Sequence, residues 1–265
     1  MRILVAPDTA SMARAAARLI AEAVAARPDL RVAWCTGRTV IPVYDELRAL
    51  HRAGQVSFDQ VRCFDLDEYW GLPEGHPATF RRFLLDRLLG PVGAKPENIR
   101  LLDGSASDWR KECCDFETAV EVAGGIDLLL DGIGTNGHLG FNEPGTSFDS
   151  RTRLVDLSEE TRQAQLPFFL SLSEVPRQAL TRGISEIMAA RSIIIMAGGR
   201  AKSAPLARAL LGPVTEEVPS SILQRHPDFT LVADADAARP LLNDARLRPH
   251  IVRLFDGGEE LQWPR

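Results

Sequence analysis

The sequence predicts an α/β fold: a Rossmann-like three-layer sandwich in which helices cover both faces of a mostly parallel central sheet. Two observations predict it. Short apolar runs alternate along the chain with amphipathic stretches, which is typical of parallel strands joined by helices. Several runs are apolar at almost every position, as expected for strands buried on both faces. The length of 265 residues is compatible with one domain over 1–265.

Each apolar run has the length of a strand. The predicted strands are Ile3–Ala6, Val32–Cys35, Val61–Leu66, Asp127–Gly132, Ser192–Ala197 and Thr230–Ala233. After Asp8, which suits the N-cap position, apolar residues recur with helical spacing as far as Ala23. Further helices are predicted at Pro42–Ala53, Pro77–Leu89, Asp108–Val122, Val175–Ala190 and Arg200–Leu211.

Polar segments, most of them rich in glycine, directly follow four of the predicted strands. They are Thr36–Thr39, Asp67–Tyr69, Ile133–His138 and Gly198–Lys202. Open α/β sheets bind their ligands at the carboxyl ends of the strands, where loops lead into helices. We therefore expect these four segments to form one site.

Charge and cysteine usage narrow the class of protein. The net charge of -5 and the pI near 5.6 argue against nucleic acid or an anionic membrane as a partner. No apolar segment is long enough for a signal peptide or a membrane span. The four cysteines form no Cys-x-x-Cys pair, so we expect reduced thiols, no zinc site and a cytoplasmic location.

The strongest local signal is the glycine-rich segment from Asp131 to Gly145. Its glycines are spaced like those of a dinucleotide-binding loop, but the segment continues as a loop and opens no amphipathic helix, so we reject a nucleotide site. His138 and Glu143 are separated by a turn that can bring them to one cavity, where a carboxylate would orient a histidine for proton transfer. The alternative is a loop histidine that caps backbone groups.

Two other segments allow both a structural and a chemical interpretation. Asp67 and Glu68 follow a buried strand, where carboxylates often cap a helix, but burial could also raise the pKa of one and make it a base. The segment Thr36–Thr39 can hold a phosphate on backbone amides and hydroxyls, or it can be an ordinary turn. Lys202 can add a charge at the same anion, or it can be a solvated lysine.

Taken in order, these segments resemble the glucosamine-6-phosphate deaminase family. The motifs that carry the resemblance are TGRT at 36–39, LDEYWGL at 66–72 and NGHLGFNEPG at 136–145, with further similar stretches at 175–184 and 220–234. The same fold group contains 6-phosphogluconolactonases, ribose-phosphate isomerases and coenzyme A transferases. FNEPG, with its glutamate, is a feature of the deaminases.

The resemblance implies a reaction and a role for each matching residue. Glucosamine 6-phosphate and water would give fructose 6-phosphate and ammonia, without a metal or an organic cofactor. His138 would assist ring opening, Glu143 would orient and charge it, Asn136 would hold this histidine or the substrate, and Asp67 would move a proton between C2 and C1. The residues implied at the substrate and its phosphate are Thr36, Gly37, Arg38, Thr39, Gly137 and Lys202.

Three departures from the family pattern concern the phosphate. Arg38 stands where a glycine is usual, Pro167 where an arginine commonly holds the phosphate, and Arg182 where a small or apolar residue is usual. Either Arg38 or Arg182 replaces the lost arginine, or the specificity for the anion has changed. We favour a retained anionic sugar. The alternatives are a lactonase-type hydrolase, a deaminase of another amino sugar such as a galactosamine, and a sugar-phosphate-binding protein without catalysis.

Larger members of the family are hexamers with an allosteric site for an amino-sugar phosphate at subunit contacts. Arg153 matches one basic position of that site, but Val155 stands where a lysine is typical. The sequence also diverges after Asp234, ending in Leu261–Arg265. We therefore predict that the allosteric site is absent, and the resemblance leaves monomer and homo-oligomer open.

Overall fold

Seven parallel strands form the central sheet of the computed structural model, which describes residues 1–254, 256–257 and 260–261. These strands are β1 (Arg2–Ala6), β2 (Arg31–Trp34), β3 (Arg62–Asp65), β5 (Leu128–Gly132), β8 (Ser192–Ala197), β9 (Phe229–Asp234) and β10 (Ile251–Arg253). Their order across the sheet is β10-β1-β9-β8-β5-β2-β3, and every neighbouring pair is parallel. The predicted sheet is confirmed, and β10 is a strand that the sequence analysis missed.

Helices cover the sheet and mostly begin where the sequence indicates. Asp8 caps the first helix by accepting a hydrogen bond from the Ser11 amide, as predicted. The helix predicted from Pro77 begins at Phe80, because Thr79 caps it, and its last turn, Leu85–Leu89, is π-helical. The helices are α1 (Thr9–Ala26), α2 (Ile41–Arg52), α3 (Phe80–Leu84), α4 (Trp109–Ala123), α5 (Glu159–Gln165), α6 (Ile184–Met188), α7 (Ser203–Leu211) and α8 (Ala235–Ala238).

A second, antiparallel sheet lies beside the carboxyl edge of the first and corrects one prediction. It consists of β4 (Asp67–Tyr69), β7 (Gln178–Thr181) and β6 (Arg153–Asp156), with β7 in the centre. The helix predicted over Val175–Ala190 is therefore wrong in its first half, because residues 178–181 pair on both sides and bury Ala179 and Leu180. Only α6 remains helical. A short hairpin, β11 (Asp256–Gly257) and β12 (Glu260–Leu261), follows β10.

The core lies on both faces of the central sheet. All residues of β2, β8 and β9 except Ser192 are buried, in keeping with their apolar sequences. Among the described residues, the search for a helix that is both long and apolar enough to cross a membrane finds none. The divergent C-terminal residues 262–265 lie outside the described part of the chain.

Candidate active site

A cavity of about 720 Å³ lies at the carboxyl ends of the central strands. All four segments that follow the predicted strands contribute to its lining, so the expectation that they meet at one site is confirmed. Apolar walls come from aromatic side chains of three further regions. These are Phe80 and Phe83 near α3, Phe141 in the glycine-rich loop, and Phe168 after α5.

The two adjacent carboxylates of β4 have different tasks. Glu68 accepts hydrogen bonds from the amides of Phe80 (3.0 Å) and Arg81 (2.8 Å), so it satisfies the first turn of α3. Asp67 points to the other face of the strand and lines the cavity, although only 8% of it is exposed. Burial, followed by the nearby charge of Asp131, raises the pKa of Asp67 well above its usual value. Burial also raises the pKa of Glu68, to about 7, so the two residues differ in their position. Glu68 caps the helix, whereas Asp67 faces the cavity and is the candidate base.

Asp131 is a second carboxylate that lines the cavity, and it was not among the predicted site residues. It lies near the end of β5 and accepts hydrogen bonds from the amides of Gly132 (2.7 Å) and Gly140 (3.0 Å). Burial raises the pKa of Asp131 to about 6 in spite of these hydrogen bonds and of the nearby Lys202. A carboxylate just before a glycine-rich loop at a strand end is the signal that could have identified it.

The ring of His138 packs directly against the backbone of Gly134. A Cβ atom at this glycine would lie 2.3–2.4 Å from three ring atoms, so residue 134 must be glycine for the histidine to occupy this place. Nδ1 of His138 lies 3.7 Å from Oε2 of Glu143, which is the distance of an ion pair when the ring is protonated. This Nδ1 is buried and has no hydrogen-bond partner among the described residues.

Glu143 does not line the cavity but supports His138 from behind. It accepts hydrogen bonds from the amide group of Asn136 and the hydroxyl of Thr161, and Asn136 also accepts one from the backbone amide of His138 (3.1 Å). Burial alone would raise the pKa of Glu143, but His138, Thr161 and Asn136 outweigh it and lower that pKa to about 2. A fixed negative charge therefore stands beside the histidine, as the role of an orienting group requires.

Gly137, predicted to contact the substrate, does not line the cavity. Its φ of 93° requires glycine for the turn, and its carbonyl accepts a hydrogen bond from the amide of Ser220 (2.9 Å). A Cβ atom at this position would lie 2.9 Å from Val218. The residue therefore shapes and anchors the loop that carries His138, and its place outside the cavity lining does not support the predicted contact with substrate.

The other end of the cavity is suited to an anion. Thr36, Gly37 (φ 109°) and Thr39 line it just before α2, whose first turn has no side-chain cap. Lys202 lines it from the start of α7, which also lacks a side-chain cap, and its ammonium donates to the Ile133 carbonyl at 2.7 Å. Burial lowers the pKa of Lys202. The uncapped first turn of α2 and a lysine together favour a phosphate.

Only one of the two arginines proposed to compensate for Pro167 reaches the cavity. Arg38 lines it, and its guanidinium carbon lies 5.8 Å from the ring centroid of Phe168, which stands next to Pro167. Arg182 lies instead beneath the second sheet, 5.9 Å from the ring of Phe116, and lines a different cavity. Compensation by Arg182 is therefore wrong, because the side chain leaves the end of β7 on the face turned away from the site.

Sequence reasoning could not have found every residue around the site. Phe168 lines the cavity, and Thr161 fixes Glu143. Thr161 lies 18 positions after Glu143 in the sequence. It belongs to α5, a helix that was not predicted. Among the described residues, no group of three or more His, Cys, Asp or Glu side chains is arranged to hold a metal ion.

Comparison with known proteins agrees with this geometry. A family model described as glucosamine-6-phosphate isomerases/6-phosphogluconolactonase matches residues 7–232. The glucosamine-6-phosphate deaminase of Halothermothrix orenii is 40% identical over 238 residues, which cover 90% of this chain and 99% of that protein. The protein of the same name from Pseudarthrobacter chlorophenolicus is 40% identical over 241 residues, 91% of this chain and 93% of that one.

Solved structures extend the comparison to three dimensions. A structure described as a monomeric glucosamine-6-phosphate deaminase superimposes with a TM-score of 0.88 at 36% identity, over 90% of this chain and 99% of that one. The 6-phosphogluconolactonase of Trypanosoma brucei gives a TM-score of 0.72 at 18% identity, over 91% of this chain and 98% of that one. At this lower identity the similarity shows a common fold alone.

Proposed function

The chain belongs to the glucosamine-6-phosphate isomerase/6-phosphogluconolactonase family, and we propose that it converts glucosamine 6-phosphate and water to fructose 6-phosphate and ammonia. The observation that carries the proposal is the composition of one cavity. Asp67 and His138 supply acid–base groups to it, and Lys202 and Arg38 supply positive charge. The names of the relatives at 40% identity support the same reaction.

The cavity has the size and polarity that a hexosamine phosphate needs. Its volume of about 720 Å³ lies within the usual range for small-molecule sites. In the proposed complex the phosphate lies against Thr36–Thr39 and Lys202, and Arg38 holds a phosphate oxygen from the rim. The sugar carbons then extend toward Asp67 and His138.

Ring opening is the first proton transfer. It moves the proton of the C1 hydroxyl to the ring oxygen, while the C1–O5 bond breaks and a carbonyl forms at C1. His138 is the group that we assign to this transfer, because a histidine can accept and return a proton near neutral pH. Glu143, ionised and held by Asn136 and Thr161, balances the charge of the protonated ring.

Isomerisation and deamination follow on the open chain. Asp67 removes the proton from C2, the electron pair passes to the carbonyl at C1 through an enol-amine, and the proton returns to C1. The nitrogen at C2 is then an imine, to which water adds. Ammonia leaves as the C2 carbonyl of fructose 6-phosphate forms. The raised pKa of Asp67 suits this task, because it makes the carboxylate a stronger proton acceptor than an ordinary aspartate.

Asp67 also favours this reaction over lactone hydrolysis. A lactonase needs one base to activate water and no proton transfer between neighbouring carbons. In this cavity, a second buried carboxylate with a raised pKa stands apart from the His138–Glu143 pair. That group has a task in isomerisation and none in hydrolysis.

The remaining expectations complete the proposal. The partner is a small phosphorylated sugar, with no nucleic acid or membrane, and the steps above need no cofactor. The described cysteines are free thiols, which supports the cytoplasm as the compartment. A monomeric relative with a TM-score of 0.88 supports a monomer, and light scattering on the purified protein measures its mass directly.

A coupled assay for ammonia and fructose 6-phosphate tests the reaction. We expect both products in equal amounts from glucosamine 6-phosphate. Galactosamine 6-phosphate, unphosphorylated glucosamine and 6-phosphogluconolactone serve as parallel substrates. Turnover of the lactone alone would establish the hydrolase instead, turnover of another amino sugar would correct the specificity, and binding without turnover of any substrate would contradict an enzyme.

A further inference from the structure

A second cavity, of about 510 Å³, lies between α4 and α6 and shares no lining residue with the candidate active site. Its walls are formed by the C-terminal half of α4, by α6, and by the chain segments that enter the central sheet. The charged side chains that line it are Glu117, Glu121, Arg151, Arg182 and Glu186. The proposed reaction uses none of them.

Arg182 is the unusual member of this set. It is 3% exposed, and its Nε and Nη1 atoms are buried without a hydrogen-bond partner among the described residues. Its guanidinium carbon lies 5.9 Å from the ring centroid of Phe116, which offsets a small part of the cost of burying a charge. Glu186, Asp65 and Glu117 lie near enough to favour the charge, but burial of a cation without a direct partner is costly, and an anion that binds from outside the chain would offset that cost.

The neighbouring carboxylates are already engaged elsewhere. Glu186 accepts hydrogen bonds from Thr152 Oγ1 (2.7 Å) and the Gly183 amide (3.3 Å). Glu117 accepts them from Arg151 Nη2 (2.7 Å) and the Thr152 amide (3.1 Å). Neither makes an ion pair with Arg182 in the described part of the chain. The guanidinium therefore lacks the carboxylate partner that arginine normally has when it is buried.

The backbone of Arg182 is fixed on both sides. Its amide donates to the Leu66 carbonyl at 2.8 Å, and its carbonyl accepts from the side chain of Asn142 at 2.8 Å. Leu66 precedes Asp67, and Asn142 precedes Glu143. These bonds fix the backbone, and burial restricts the side chain to 3% exposure, so little conformational entropy is left to lose on binding.

We propose that this cavity is a second ligand site, and that it binds a small zwitterion of the α-amino acid class. The carboxylate of the ligand pairs with Arg182, and its ammonium group lies toward Glu121 at the exposed rim. The charge of the lining argues for a zwitterion, because three glutamates and two arginines leave one net negative charge. A phosphate dianion would be repelled by that surplus, and a bare amine would leave Arg182 unpaired.

Isothermal titration calorimetry of the full chain tests the site, with glycine, L-alanine and L-serine as zwitterions. We expect at least one to bind with a Kd below about 10 mM, and acetate and ethanolamine, which each carry one of its two charges, to bind at least about tenfold more weakly. Inorganic phosphate serves as the dianion. Binding of phosphate in preference to every amino acid, or no binding of any amino acid, would overturn the proposal.

Variants locate the binding. Arg182→Met should abolish it while keeping or raising Tm, since an unpaired buried charge is removed at similar volume. Glu121→Gln, a change at the exposed rim that leaves the core intact, should weaken it at least about threefold. Arg110→Met, an exposed arginine on α4 outside the cavity, and Asp67→Asn in the candidate active site should not change it. Unaltered binding in both Arg182→Met and Glu121→Gln would place the ligand elsewhere, whatever the outcome of the deaminase assay.

Discussion

Two buried carboxylates at opposite ends of one strand of the central sheet have opposite pKa shifts. We call the two sides of the sheet at which the parallel strands begin and end its amino edge and its carboxyl edge. Asp127 immediately precedes β5 and Asp131 lies four residues later at its other end. Burial would raise the pKa of Asp127, but hydrogen bonds from Arg31 and Arg191 lower it to about 2, and Arg27 adds a further contact. Asp131 receives only backbone amides, and burial raises its pKa to about 6.

The difference separates stability from chemistry within one strand. At the amino edge, charges are paired so that burial of Asp127 and Arg31 costs little. At the carboxyl edge, the described residues offer Asp67 and Asp131 no arginine partner, and burial raises the pKa of both. The pKa of Asp131, about 6, lies in the range in which a group can accept and return a proton. The predictions below test this contrast at both edges.

Asp67→Asn should have the largest effect on activity. The amide has the shape of the carboxylate but cannot accept the C2 proton, so kcat should fall by about two to four orders of magnitude. The fold should remain intact, since removal of a buried negative charge near Asp131 relieves repulsion. Steady-state kinetics with a thermal melt check both points, and near-wild-type turnover would exclude Asp67 as the base.

Asp127→Asn is the matched change at the opposite edge. It should reduce the free energy of unfolding by about 3–5 kcal/mol, because Arg31, which is 7% exposed, loses its partner inside the protein. The kcat per folded molecule should stay within about twofold of wild type, since the residue lies at the far end of β5. Urea titration gives the first value. An intact unfolding midpoint would show that the arginine cluster contributes nothing to stability.

Glu143→Gln tests the support behind His138. Glutamine keeps a hydrogen-bond acceptor for Thr161 but loses the charge beside the histidine, so kcat should fall by about tenfold to a hundredfold, or about 1.4–2.7 kcal/mol. KM should change little, because Glu143 does not line the cavity. Thr161→Val is the control that removes one hydrogen bond and keeps the charge. A larger loss in this control than in Glu143→Gln would assign the effect to geometry.

The pH dependence of stability should have opposite signs at the two edges. The pKa of Asp131 in the folded protein, about 6, exceeds its ordinary value of 3.8. Its contribution to the free energy of unfolding is therefore complete below pH 3.8 and is lost as the pH rises to about 6. The folded pKa of Asp127, about 2, lies below 3.8, so its contribution is complete above pH 3.8 and is lost as the pH falls to about 2. Each shift corresponds to at most about 3 kcal/mol.

Denaturant titrations from pH 2.5 to pH 6.5 measure these slopes. Asp131→Asn should remove part of the decrease in the free energy of unfolding as the pH rises above 4, and it should not change the decrease as the pH falls below 4. Asp127→Asn should remove part of the decrease below pH 4 and should not change the decrease above pH 4. Identical pH profiles for wild type and both variants would mean that neither carboxylate changes its pKa on folding.

The sequence was sufficient to predict those features that depend on residues close together in the chain. All six predicted strands match within one residue at each end, because a buried parallel strand must be apolar throughout. The glycine-rich loop identified His138 by its neighbours. Arg182 shows the limit of such reasoning. Whether a side chain at the end of β7 faces one cavity or another depends on the strand's register and face, and β7 itself was predicted as helix because its four residues carry no clear alternation.

Glu143 and Gly137 show the same limit within one loop. Both belong to the segment that the sequence singled out, yet neither lines the cavity. Glu143 turns inward to partners 7 and 18 residues away, and Gly137 packs against Val218. Such distant contacts leave no trace in the local pattern, so position in a motif indicates proximity to the site but not contact with substrate.

Arg38→Gly should have the smallest effect on activity. It extends the comparison of the two edges from carboxylates to arginines. Arg31 at the amino edge is fixed by Asp127, whereas Arg38 at the carboxyl edge contacts only the ring of Phe168 among its described charged or aromatic neighbours. If Arg38 holds the phosphate, its loss should raise KM by about threefold to tenfold with kcat little changed, as expected for loss of one exposed charged contact. Unphosphorylated glucosamine provides the control, because its KM should not change. A lower KM for the phosphorylated sugar would show that the arginine obstructs the loop, and Thr36, Thr39 and Lys202 would then hold the phosphate without it.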